Sequence, residues 1–185
     1  MIERKIVWSD AAKSGLALGG VSIAYMLCST LLTKINGGTA VSVLVNVSSL
    51  LLWVFKFVLC IKLMKLFMLK FAGAHEGVSN NDSFRFGCTT ALLSALLYSA
   101  FFLAWLTFIQ PDMLAESFEA AKAGYADALP EADLEAMDNM LGKLPNIMFF
   151  VNFFWCWLFG TVLAAIFSRN IPSRNPFANN DSYSE

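Results

Sequence analysis

Four runs of about twenty apolar residues dominate the chain, and they fit one kind of solvent. A helix needs about 20 mainly apolar residues to cross the roughly 30 Å hydrocarbon core of a bilayer. Runs of that length extend from about Ser14 to Thr33, Ala40 to Ile61, Gly87 to Ile109 and Asn146 to Ser168. Of the 185 residues, 57% are hydrophobic and 15% charged, against roughly 45–50% and 25% in a soluble domain. A water-soluble fold of this size would leave much of that apolar surface uncovered. In lipid, backbone polar groups must be satisfied internally, and a helix does this within one segment. The sequence therefore predicts an all-α integral membrane protein: a four-helix bundle in a single membrane domain over residues 1–185, with short amphipathic helices in the loop between helices three and four.

The first run follows Arg4 and Lys5, as a signal peptide would, but it exceeds the roughly 7–15 residues of a signal h-region. The small-residue pattern Gly38-Thr39-Ala40 lies well beyond it, so the run is expected to be a retained helix. The second run is interrupted by Lys56 and followed by Lys62, Lys65 and Lys70, with Phe57, Val58, Leu59, Leu63 and Leu66 between them. The plainer expectation is a long helix that protrudes through the headgroups, with Lys56 snorkelling to the near interface. The alternative is a functional intramembrane lysine.

Charge predicts the orientation. Four crossings put the N-terminus, the middle loop and the C-terminal tail (169–185) on one side. That side carries Arg4, Lys5, Lys13, Lys62, Lys65, Lys70, Arg85, Arg169 and Arg174, nine basic residues against Lys34, Lys122 and Lys143 on the other. Positive residues favour the cytoplasm, so both termini are expected there. Trp8 and Trp105 fall where interface anchors belong. The outer loop, 110–145, carries Asp112, Glu116, Glu119, Asp127, Glu131, Asp133, Glu135 and Asp138. Pro111 can open one amphipathic helix, with Leu114, Phe118, Ala121 and Tyr125 on its apolar face. Pro130 can open a second, with Leu134, Met137, Leu141 and Leu144. The carboxylates lack the glycine-hinged ligand order of a calcium loop and read as a solvated face rather than a cation site.

Lipid tails are as apolar as leucine, so helices in a membrane associate through close packing and hydrogen bonds. Small residues at four-residue spacing supply the first: Gly15 and Gly19, then Gly20, in helix one, Ala91 and Ala95 in helix three, Gly160 and Ala164 in helix four. Most lie toward the cytoplasmic half, which should be the tight end. Asn46 and Asn152 sit at matching depth, each about six residues or roughly 9 Å from the outer end of its helix, and could form an interhelical pair. The aromatics Phe149, Phe150, Phe153, Phe154, Trp155 and Trp157 around Asn152 cover too many faces to be one pocket. Ser83 is a candidate N-cap for helix three.

No constellation points to chemistry. Cys28, Cys60, Cys88 and Cys156 form no CxxC pair and read as small apolar residues. His75 beside Glu76 is one imidazole and not a metal site. No catalytic, cofactor-binding or metal residues are assigned. The net charge of −1 gives nucleic acid no general attraction.

The order of features nevertheless resembles a family of four-span bacterial membrane proteins, the domain of unknown function 4199, found chiefly in Bacteroidetes. The similar elements are Lys13-Ser14-Gly15 with Gly19-Gly20, then Gly77, Ser83-Phe84 with Phe86-Gly87, and Pro111-Asp112. They end with Ile166-Phe167-Ser168-Arg169-Asn170 and Asn175-Pro176-Phe177. The resemblance implies a bacterial inner-membrane location and brings no activity or active residues with it. Three functions stay open. The first is a non-enzymatic scaffold that binds lipid, a second copy or another membrane protein, and it is favoured by the small-residue ridges. The second is a small-solute transporter or channel subunit, which a cavity reaching the midplane would favour. The third, a membrane enzyme, lacks a base and nucleophile grouping.

Overall fold

The computed structural model of the protein describes residues 4–34, 39–75, 77–125, 130, 140 and 142–171. Its helices are α1 (Arg4–Thr33), α2 (Thr39–Ala74), α3 (Asn80–Ala104), a π-helical turn (Trp105–Ile109), α4 (Pro111–Tyr125) and α5 (Leu144–Asn170). Among the described residues there is no strand. Four stretches are long and apolar enough to cross a bilayer: Lys5–Leu32, Val41–Ala74, Asn80–Ile109 and Leu144–Asn170. The chain is thus an all-helical, multi-pass membrane protein. The second amphipathic helix expected after Pro130 lies outside the described residues.

The central element is α3, which packs along α1 on one side and α5 on the other, while α2 leans mainly on α1. Small residues set both main contacts. A Cβ placed at Gly15 would sit 2.9 Å from Leu93 Cβ and 3.1 Å from the Thr90 carbonyl, and one at Gly19 would sit 2.7 Å from Leu97 Cδ2. On the other flank, a Cβ at Gly160 would lie 2.5 Å from Ala91 Cβ, and one at Gly87 would lie 2.6 Å from Ala164 Cβ. Ala91, Ala95 and Ala164 are themselves buried. Gly20 stands apart: it is exposed on another face of α1, with nothing within 4 Å of a Cβ there. Gly15 and Gly19 are one full turn apart and share a face, whereas Gly20 is rotated about 100° away from Gly19.

Most of the buried core lies toward the end of the bundle that holds the start of α1 and the end of α5. There Val7, Ala11, Met64, Met68, Phe71, Val78, Phe86, Ala164 and Ile171 form one cluster. Phe71 stacks on Phe86 with ring centroids 4.3 Å apart. Met64 and Met68 reach over Gly87. His75 closes this end, with Nδ1 3.1 Å from the Phe71 carbonyl and Nε2 3.8 Å from Asp10 on α1.

The start of α3 differs from expectation. Its N-cap is Ser79, whose hydroxyl accepts from the Asp82 amide at 3.1 Å while Asp82 accepts from the Ser79 amide at 3.3 Å. This reciprocal box satisfies helix-end donors on both sides. Ser83 lies one turn inside the helix and is buried, its amide donating to the Ser79 carbonyl. At the far end, the Gln110 amide donates to the Trp105 carbonyl five residues back, the wider turn of a π-helix. It hands the chain to α4, which begins at Pro111 as expected and buries Phe118.

If the glycine contacts hold the bundle together, Gly160→Ala must push α5 away from α3. The overpacking should lower stability by about 1–3 kcal/mol, seen as a lower unfolding midpoint in detergent by intrinsic fluorescence. Gly20→Ala should leave that midpoint unchanged.

Candidate functional site

Above the tight end, α2 draws away from its neighbours. In the most apolar 18-residue stretch of Val41–Ala74, no residue is buried. The space between α2 and the other three helices is a cavity of about 340 Å³. Leu18 and Ser22 of α1, Ala91, Ser94 and Ala95 of α3, and Cys156, Gly160 and Leu163 of α5 line its wall. The same small residues that draw α3 toward α1 and α5 thus leave room on the side facing α2. Trp53 and Phe57 of α2 and Trp155 and Phe159 of α5 form the rim. Trp53 stacks on Phe57 at 5.7 Å, and Phe57 meets Phe159 at 5.3 Å across the gap. Trp53 and Trp155 are more than half exposed, so the mouth opens sideways, where lipid would be.

Lys56 projects into this cavity. Its Nζ lies 5.2 Å from the centre of the Tyr25 ring and 5.3 Å from that of Tyr98. Tyr98 is at the middle of the apolar run Gly87–Ile109, about 11 residues and so about 16 Å of rise from either end. The ammonium is therefore held near the midplane, and the snorkelling expectation is corrected. Side chains on a helix tilt toward its N-terminus. The chain enters the bilayer at the N-terminus of α2, so the tilt carries Lys56 away from the near interface and into the bundle.

Energetics allow this placement. A lysine at the centre of a spanning helix costs about 2.5–3.5 kcal/mol on insertion scales. A desolvated cation–π contact returns about 2 kcal/mol, and Lys56 has two. Among the described residues no carboxylate comes within ion-pair distance of Lys56. The ring faces offset the charge but offer no lone pairs to its three N–H donors.

Polar groups collect around the same level. Cys60, one turn from Lys56, and Ser22 of α1 both line the cavity. Asn152 Nδ2 donates to Ser99 Oγ at 3.3 Å, and Cys156 Sγ lies 3.7 Å from Asn152 Oδ1. Asn46, by contrast, is exposed. The expected Asn46–Asn152 pair is therefore corrected to Asn152–Ser99, because the N-terminal half of α2 stands off from the bundle. All four cysteines carry free thiols, and Cys60, Cys88 and Cys156 are partly buried. Among the described residues no three His, Cys, Asp or Glu side chains gather as a metal site would need. A second recess of about 320 Å³, lined by Asp10, Lys13, Ser14, Lys70 and Phe71, sits at the tight end.

The sequence contained Lys56, Tyr98 and Cys156 but not their meeting. The signal that could have found it is chain direction: side chains lean toward the helix N-terminus, so a lysine near the C-terminal end of its apolar run leans away from the near interface.

A family profile for a protein of unknown function, DUF4199, matches residues 13–169. The chain belongs to this family, as its motif order indicated. No curated protein and no solved structure matches it.

The amide at Asn152 can be tested directly. Asn152→Leu should lower the unfolding midpoint by the equivalent of about 0.6–2 kcal/mol, the range for interhelical polar contacts. Asn46→Leu should leave it unchanged. Equal effects of the two substitutions in the same thermal assay would contradict the Asn152–Ser99 assignment.

Proposed function

We propose that this protein is a non-enzymatic, ligand-binding membrane protein that holds a small membrane-soluble molecule in the cavity between α2 and α5. The observation that carries this reading is Lys56: an ammonium facing a laterally open, mostly apolar cavity near midspan, with aromatic faces but no counter-anion among the described residues. Ligand pockets have this character, concave and largely apolar with a few convergent polar groups. An ionisable residue inside a membrane, facing a cavity, is a functional-site hypothesis by default. Binding at such a depth suits a carrier as well as a sensor, so the transporter reading rises with it.

The scaffold reading keeps one observation of its own. The outer half of α2 exposes Val43, Leu44, Val47, Leu50 and Leu51 along its length, a face on which a partner helix or a second copy could pack. The nine-to-three split of basic residues supports termini on the cytoplasmic side. The family resemblance supports a bacterial inner membrane.

Native mass spectrometry of protein extracted in mild detergent tests the reading. The wild type should retain a low-mass lipophilic adduct at one per chain. Ser94→Phe, which fills the cavity from α3, should lose it while remaining monodisperse. Equal adducts on both proteins, or dimers without adduct, would favour the scaffold.

A further inference from the structure

We infer that the cavity ligand is a single-chain carboxylic acid, its carboxylate paired with Lys56 and its chain leaving between Trp53 and Trp155 into the lipid. This rests on the ligand-binding reading above and names the chemistry it would select. Charge sets the first condition. Lys56 has two ring faces beside it and no anion among the described residues, so a ligand acceptor would give its N–H donors directed, charge-assisted hydrogen bonds.

Depth sets the second condition. Tyr98, whose ring the ammonium faces at 5.3 Å, is about 16 Å of rise from either end of the apolar run Gly87–Ile109. A glycerophospholipid keeps its phosphate at the surface and does not bring it so deep. A carboxylic acid enters hydrocarbon in its neutral form. Beside Lys56, the acid and the amine make a pair that is neutral overall whichever atom holds the proton, so no net charge is left in hydrocarbon.

Wall chemistry sets the third condition. A small inorganic anion stripped of water needs donors on all sides. Here the lining offers Ser22, Ser94, two thiols and, at the rim, the indole N–H groups of Trp53 and Trp155 beside Lys56, among apolar neighbours. A carboxylate needs donors at one end only and presents an alkyl chain to the rest. The cavity, about 340 Å³, takes the head and first part of the chain. The open rim between α2 and α5 lets the remainder lie among lipid tails.

Tryptophan quenching by brominated acyl chains reads this directly, because Trp53 and Trp155 flank the exit. Full-length protein with Trp8, Trp105 and Trp157 replaced by phenylalanine is placed in phosphatidylcholine nanodiscs and titrated with 9,10-dibromostearic acid or its methyl ester. The acid should quench saturably, half-maximally at a concentration at least tenfold below that of the ester. Lys56→Arg should keep that preference and Lys56→Met should abolish it. Native mass spectrometry of otherwise unmodified protein with stearic acid or methyl stearate gives the same comparison should the triple replacement fold poorly. Saturable quenching that is equal for acid and ester, and unchanged in Lys56→Met, would overturn the carboxylate assignment while leaving the cavity reading in place. Quenching that never saturates with either probe would overturn both.

Discussion

The approach of α3 to its two neighbours is the interaction on which the rest of the bundle depends. In water, burying leucine would drive these helices together. In lipid that force is absent, because acyl chains are as apolar as the side chains they replace. What remains is contact made possible by missing atoms. At Gly15, Gly19, Gly87 and Gly160 a single added carbon would fall within 3 Å of the facing helix. Such distances mean near backbone contact, where many weak dispersion terms add up along the interface. Within the helices of the bundle, such contacts fix α1, α3 and α5 to one another.

The same rule explains why α2 stands off. Between Val41 and Lys65 it carries no glycine, and its bulk is valine, leucine, phenylalanine and tryptophan. It can fit tightly only where flexible methionines meet a glycine. Met64 and Met68 do so over Gly87, with Phe71 against Phe86 one turn on. Beyond that layer, the helix has no glycine with which to approach α3 or α5, and its few small residues there, such as Ser42, Ser48 and Ser49, are outnumbered by valine, leucine and aromatic side chains. The gap is thus a product of composition, and Lys56 falls at its centre. The two tyrosine faces make the placement tolerable, and the absent counter-anion leaves it incomplete as a polar site.

How much of this was legible follows from the same physics. The four spans were legible because length and apolarity are the conditions for crossing a bilayer, and Ala91, Ala95, Gly160 and Ala164 because small residues at helical spacing have a mechanical meaning. Rotational phase was not. In a soluble helix, polar residues mark the outer face, but a helix bathed in lipid is apolar all round, so the ridges Ala11-Gly15-Gly19 and Gly20-Ala24-Cys28 of α1 read alike, although only the first is buried. Asn46 failed for a related reason: equal depth does not bring two amides together when one helix leans away. At the start of α3 the signal is in the sequence: Asp82, three residues after Ser79, completes a capping box that Ser83 lacks.

Chain direction decides where Lys56 reaches. Every side chain on an α-helix leans toward the helix N-terminus. A lysine a few residues inside the membrane near the C-terminal end of a span therefore points inward by default, while one near the N-terminal end points out. Sequence distance to the nearest interface treats the two cases as equal, although the backbone distinguishes them. Lys56 belongs to the first case, five residues before the apolar run ends at Ile61. Its reach is toward Tyr25 and Tyr98, and a hydrated headgroup layer on the near side does not recover it. An odd-numbered crossing in this topology would run the other way and send a lysine at the same depth to the surface. The position of the charge thus depends as much on which crossing carries it as on where in the run it occurs.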